Sequence, residues 1–126
     1  MTMINPLARV RGLGSAKEGT HHWIAQRMTA VALVPLTLWF VISLISLVGA
    51  DLAAVKAWLG SPFNAVLMIL TLIAGFHHAQ LGLQVVIEDY VHGHFCKIAA
   101  LWVVKGAAFF FGAAAVFSVA KLAIGA

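Results

Sequence analysis

Residues 57–90 read AWLGSPFNAVLMILTLIAGFHHAQLGLQVVIEDY. No Asp, Glu, Lys or Arg interrupts this stretch from Ala57 to Ile87. At about 1.5 Å per residue, a helix of that length more than crosses a hydrocarbon core about 30 Å thick. Gly60-Ser61-Pro62 marks a break near its start, with proline suited to a first helical turn. A membrane-spanning helix is therefore predicted from about 61 to 90. Working outward, Met28 to Ala50 is uncharged and predicts an earlier span. Ile98 to Ala126 is interrupted only by Lys105 and Lys121 and predicts a later one. The expected fold class is an all-α membrane protein. Its three transmembrane helices lie at about 23–50, 61–90 and 97–124. One domain covers 1–126, with an N-terminal segment over 1–22 and no internal repeat.

Composition agrees. Of 126 residues, 63% are hydrophobic and 10% charged, and the mean hydropathy is +1.01. Soluble domains carry about 25% charged residues, so a soluble globular domain is excluded. Disorder is excluded too, because it needs low hydrophobicity and high charge. The pI near 9.7 does not indicate nucleic acid, since no Lys/Arg-rich run forms a phosphate-binding stripe. The single cysteine, Cys96, rules out an intramolecular disulfide and any CxxC motif. The N-terminus does not read as a cleavable signal peptide, because its apolar run begins only after Arg27 and exceeds an h-region in length.

The basic excess instead orients the spans. Arg9, Arg11, Lys17, Arg27, Lys97 and Lys105 fall on one side, and Lys56 and Lys121 on the other. Positive residues favour the cytoplasmic side. The expectation is a cytoplasmic N-terminus and a C-terminus across the membrane. Trp23 and Trp102 then fall at the inner interface and Trp58 at the outer one.

Polar residues at membrane depth are expensive and therefore informative. His77-His78 sits inside the second span, which ends in Glu88-Asp89-Tyr90. His78 and Asp89 are separated by three helical turns plus about 20°, and so share a face about 16 Å apart along the axis. With Asp89 at the membrane boundary, His78 is near the midplane. Gly75 and Gly82 lie on roughly the same face, leaving room for a large flat group or a neighbouring helix. Two readings of His78 stand on spacing alone. It bonds a polar partner across a helix interface, or its neutral imidazole ligates haem iron. In the second case His77, which points about 100° away, cannot supply the other axial ligand. His21, His22, His92 and His94 belong at the inner surface, which leaves another chain as the source.

Ahead of the first span, His21, Trp23 and Arg27 also read two ways. They form an interfacial anchor, with Arg27 snorkelling to lipid phosphate. Alternatively, His21 and Arg27 hold carboxylates such as haem propionates by charge-assisted bonds. Gln80 and Gln84 suit interhelical hydrogen bonds. Lys105 is assigned no function, and His94 with Cys96 is too small a set for a metal site.

Taken together, these residues resemble the hydrophobic membrane-anchor subunit of succinate dehydrogenase, the smaller anchor of respiratory complex II. The first motif is Gly-x-His-x-x-x-x-x-Arg, here Gly19, His21 and Arg27. The more specific one is His-x10-Asp-Tyr, here His78, Asp89 and Tyr90. The Gly12-Leu13-Gly14-Ser15 run looks similar to alphaproteobacterial members. The doubled His77-His78 departs from the pattern, and the spacing to Asp89-Tyr90 selects His78. The resemblance implies a non-catalytic subunit of a four-subunit complex in the bacterial inner membrane. A flavoprotein and an iron–sulfur protein complete it, with a cytochrome b anchor subunit. It also implies one b-type haem shared between the anchors and a ubiquinone site. His78 would be an axial haem ligand, and His21 and Arg27 would lie near the propionates. Tyr90 would hydrogen-bond ubiquinone beside Asp89. Three other functions remain in view: a fumarate reductase anchor, a small transporter or proton relay using His77, His78 and Asp89, and a purely structural assembly subunit.

Overall fold

The computed structural model describes residues 6–12 and 19–125. Lys17, the side chain of Arg9 and residues 13–15 lie outside the described residues. Five helices follow in order: α1 (Pro6–Val10), α2 (Gly19–Ser46), α3 (Leu52–Gly60), α4 (Pro62–Tyr90) and α5 (His94–Ile124). No strand occurs among the described residues. The three long helices, α2, α4 and α5, are long and apolar enough to cross a membrane. They have 28, 29 and 31 residues. At about 1.5 Å per residue each exceeds the hydrocarbon thickness. Their ends therefore reach into the headgroup region or the helices tilt.

Two boundaries differ from the expected ones. The first long helix runs from Gly19 to Ser46, earlier at both ends than 23–50. At its C-terminal end the chain turns through Leu47 and Val48 to Gly49, whose φ of 79° suits glycine. The third long helix begins at His94 rather than at about 97, with Gly93 as its cap. The break at Gly60-Ser61-Pro62 starts α4 at Pro62.

The short helix α3 had no counterpart in the expected spans. Its N-cap is Asp51, whose carboxylate accepts a 2.8 Å bond from Ala54 N–H. That satisfies one of the orphan donors of a helix start. At its other end, the Asn64 side-chain amide donates to Trp58 O at 2.9 Å. Trp58 stacks on Trp39 of α2, with ring centroids 5.7 Å apart and planes 20° from parallel. This seats α3 against the end of the long helices, and Leu59 is buried there.

Helix α4 packs closely against both α2 and α5, while the backbones of α2 and α5 do not approach each other closely. The three long helices thus form a single layer with α4 in the middle. Among the described residues only Leu59, Ala65, Leu81 and Ser43 are buried. Large apolar side chains such as Val31, Phe109 and Phe117 stand exposed on both sides. Water would not tolerate that surface; lipid tails or other apolar helices would. Hydroxyls within the spans bond carbonyls one turn back: Thr71 to Leu67 O at 2.7 Å and Ser118 to Ala114 O at 2.8 Å. These two donors are thereby kept from facing hydrocarbon unpaired.

Candidate functional site

His78 projects from α4 toward α2. Its Nδ1 lies 3.0 Å from the hydroxyl of Thr29. The same hydroxyl is 2.8 Å from Ala25 O and 3.1 Å from Gln26 O. His78 therefore does have a polar partner across a helix interface, through one ring nitrogen. Its Nε2 makes no hydrogen bond among the described residues and is not a sealed interior atom. The residues one turn to either side of His78 include Ala74, Gly75 and Gly82, all small.

The two glycines do different things. A Cβ on Gly82 would meet Gln26 Nε2 of α2 at 3.7 Å, so Gly82 allows close helix packing. A Cβ on Gly75 would meet nothing within 4 Å. Gly75 instead borders an open pocket of about 300 Å³ with Thr71, Leu72, Phe76 and Ala79. Sequence reasoning offered both uses for both residues, and the position of α2 separates them.

His77 points elsewhere, as the 100° step requires. It is exposed and lines an open groove of about 700 Å³ between α4 and α5, with Gln80, Gln84, Lys105 and Phe109 among the walls. The glutamines bond along their own helix rather than across to another: Gln80 to Gln84 at 3.2 Å and Gln84 to Glu88 at 2.8 Å.

Asp89 and Tyr90 end α4. Both are exposed, Tyr90 by 78%. Neither side chain makes a hydrogen bond or ion pair among the described residues. The Lys97 ammonium donates to Glu88 O at 2.9 Å and pins the start of α5 to the end of α4. Long side chains of this kind satisfy terminal carbonyls.

His21 and Arg27 lie in the first turns of α2 and are both exposed. They are not in contact, being about 120° apart around the helix. Arg27 lies over the Trp23 ring, 5.5 Å from its centroid. On the opposite side of the helix runs the stripe His22, Gln26 and Thr29, spaced i, i+4, i+7, with Gln26 and Thr29 meeting α4. His22 Nε2 and Gln26 Oε1 are sealed without a hydrogen-bond partner. Sequence reasoning missed this stripe. Its signal was the helical spacing of three polar residues entering an apolar span.

No three His, Cys, Asp or Glu side chains converge on a metal among the described residues. A self-contained metal centre is absent from that part of the chain. A single imidazole with one open nitrogen and with Ala74, Gly75 and Gly82 one turn away does fit a haem-iron ligand.

The model of the succinate dehydrogenase/fumarate reductase transmembrane subunit family matches residues 1–120. The chain belongs to that family. Relatives of this transmembrane subunit include the succinate dehydrogenase hydrophobic membrane anchor subunit of Paracoccus denitrificans. It is 39% identical over 128 residues, covering 100% of this chain and 97% of that one. The protein of the same name from Rickettsia conorii (strain ATCC VR-613 / Malish 7) is 36% identical over 89 residues, 70% of this chain and 71% of the other. The succinate dehydrogenase membrane anchor subunit of Reclinomonas americana is 29% identical over 92 residues, 71% and 77% of the two chains. No solved structure matches at a significant level. The resemblance read from the two motifs and the all-α membrane fold are thereby both met in this transmembrane subunit.

Proposed function

We propose that this non-catalytic membrane-anchor subunit of succinate dehydrogenase supplies His78 as one axial ligand of a b-type haem and contributes Tyr90 and Asp89 to a ubiquinone-reduction site. The observation that carries the reading is the placement of His78. Its imidazole is held at the α2–α4 contact through Nδ1, leaves Nε2 open, and has Ala74, Gly75 and Gly82 among the residues one turn away. When bound, a haem supplies a one-electron carrier between partners.

The residues of this chain would divide the work as follows. His78 would hold the haem iron through Nε2, and a cytochrome b anchor subunit would supply the other protein ligand. His21 and Arg27, both exposed at the entry of α2, would each hold a carboxylate by a charge-assisted bond. Tyr90 donates a hydrogen bond to a ubiquinone oxygen whose negative charge grows on reduction, so the bond strengthens along the reaction. Asp89, exposed at the helix end, relays protons from water. The iron–sulfur subunit, which receives electrons from the flavoprotein, docks at the same face to keep the electron path short. That face is cytoplasmic, in a bacterial inner membrane, and the complex joins the tricarboxylic acid cycle to the respiratory chain. Lipid and ubiquinone are the other partners.

The direction of reaction is supported by the relatives' names alone, since the family includes fumarate reductase subunits. The proton-relay reading is disfavoured by geometry: His77 and His78 face different helices, and His78 Nδ1 is already bonded to Thr29. The test is purification in mild detergent, with a subunit gel and a reduced-minus-oxidised spectrum. A flavoprotein, an iron–sulfur protein and a b-type haem should co-purify. His78→Ala should abolish the low-spin haem spectrum while His77→Ala keeps it. An unchanged spectrum in His78→Ala would end the haem assignment.

A further inference from the structure

The Thr29 hydroxyl has one hydrogen and three close polar neighbours. Two are carbonyls, Ala25 O at 2.8 Å and Gln26 O at 3.1 Å, and these only accept. The third is His78 Nδ1 at 3.0 Å. Threonine in a helix commonly donates its hydroxyl hydrogen one turn back, which also locks χ1. With the hydrogen so placed, Oγ1 faces the imidazole with lone pairs alone. A neutral imidazole carries one N–H. At Nδ1 it finds an acceptor in Thr29. At Nε2 it would find none among the described residues, and an unpaired donor at membrane depth is costly.

We propose that Thr29 is a positioning residue for the iron ligand: it accepts a hydrogen bond from His78 Nδ1–H, so that Nε2 presents its lone pair to haem iron. This rests on the reading that His78 ligates haem. The chain of bonds runs from Nδ1–H to the Thr29 oxygen and from the Thr29 hydrogen to Ala25 O. Its anchor is the α2 backbone, so both ring rotation and tautomer are set by the helix. A hydrogen-bonded Nδ1–H makes the opposite nitrogen more electron-rich and a stronger ligand. A more electron-rich ligand favours oxidised iron, so the bond holds the haem potential down. The opposite polarity, hydroxyl donating to Nδ1, would put hydrogen on Nε2 and remove the ligand lone pair.

The test compares Thr29→Val, Thr29→Ala and Thr29→Ser in the purified four-subunit complex, with His78→Ala as reference. The readouts are haem retention during detergent washing, the midpoint potential by redox titration and the low-spin signal by electron paramagnetic resonance. Removing the hydroxyl should weaken haem retention about 10- to 100-fold and raise the potential, with Thr29→Ser close to the parent. Thr29→Val and Thr29→Ala with parental retention and potential would overturn the role of Thr29, provided His78→Ala loses the haem. A Thr29→Ser complex as perturbed as Thr29→Ala would overturn it as well, because packing of the methyl and not the hydroxyl would be responsible. A His78→Ala complex that keeps its low-spin haem would defeat the underlying ligand assignment instead.

Discussion

Single residues at the α2–α4 contact carry the most specific expectations. Gly82 leaves just enough space for α2: a Cβ there would make ordinary contact with Gln26 at 3.7 Å. Gly82→Ala should therefore keep the haem-to-flavin ratio of the parent complex. Gly82→Leu inserts atoms into that contact, typically costing about 1–3 kcal/mol, and moves Thr29 away from His78. Its haem content, measured by pyridine haemochrome assay, should fall. Full occupancy in Gly82→Leu would show that this contact does not set the site. At the other end of α4, Tyr90→Phe keeps the ring and removes only the hydroxyl donor. Succinate-to-ubiquinone activity should drop about 10-fold or more, on the scale of one lost transition-state hydrogen bond. Succinate oxidation by an artificial acceptor should stay near the parental rate. Equal loss of both activities would mean an assembly defect, and no loss would remove the donor role.

Among the elements, α3 depends on its caps more than on its length. A helix of 9 residues is marginal in isolation. It is held by the Asp51 cap, the Asn64 bond to Trp58 O and the Trp39–Trp58 stack. Asp51→Ala removes the acceptor for Ala54 N–H and should destabilise α3 by about 1 kcal/mol. Amide hydrogen exchange in α3 should accelerate about 5-fold, since RT is about 0.6 kcal/mol, with α4 and α5 unaffected. Asp51→Ser retains a cap and should exchange close to the parental rate. Acceleration spread evenly over all helices would instead indicate that α3 and the spans open as one unit.

At the scale of the whole molecule, a single layer of helices without an enclosed core needs something on both faces. Lipid can cover some of that surface, but it does not satisfy the open Nε2 of His78 or cover Asp89 and Tyr90 specifically. The chain expressed without the other subunits should therefore be lost to proteolysis or aggregate in mild detergent, and co-expression should restore a monodisperse complex on size exclusion. A stable, monodisperse isolated chain would contradict this. Three crossings also put the ends of the layer on opposite sides. On the Lys/Arg asymmetry we propose that the N-terminus faces the cytoplasm. A cysteine introduced at Gly125 should react with an impermeant maleimide from the periplasmic side, in a background where Cys96 is replaced by serine. Labelling from the cytoplasm alone would invert the arrangement and move Asp89-Tyr90 away from the proposed docking face.

Much of this was readable one residue at a time. Length and scarcity of charge define three spans because a bilayer imposes a minimum apolar helix and little else. The 100° step separates His77 from His78 without any knowledge of neighbours, and the eleven-residue spacing places Asp89 below His78 on one face. The helix ends were less legible. Asp51 is a recognisable cap, yet α3 is too short to stand out from an apolar background, and its stability comes from Trp39 in another helix. Nothing local says that α4 is the central helix, because each span is apolar over most of its circumference and its few polar residues do not specify which helix they meet. Only the packed structure decides which face of α2 meets α4. That choice makes Gly82 a contact and leaves Gly75 open. It brings Thr29, 49 positions away in sequence, to His78. Pairings between distant helices depend on side-chain shape at closest approach, which hydropathy and periodicity do not encode.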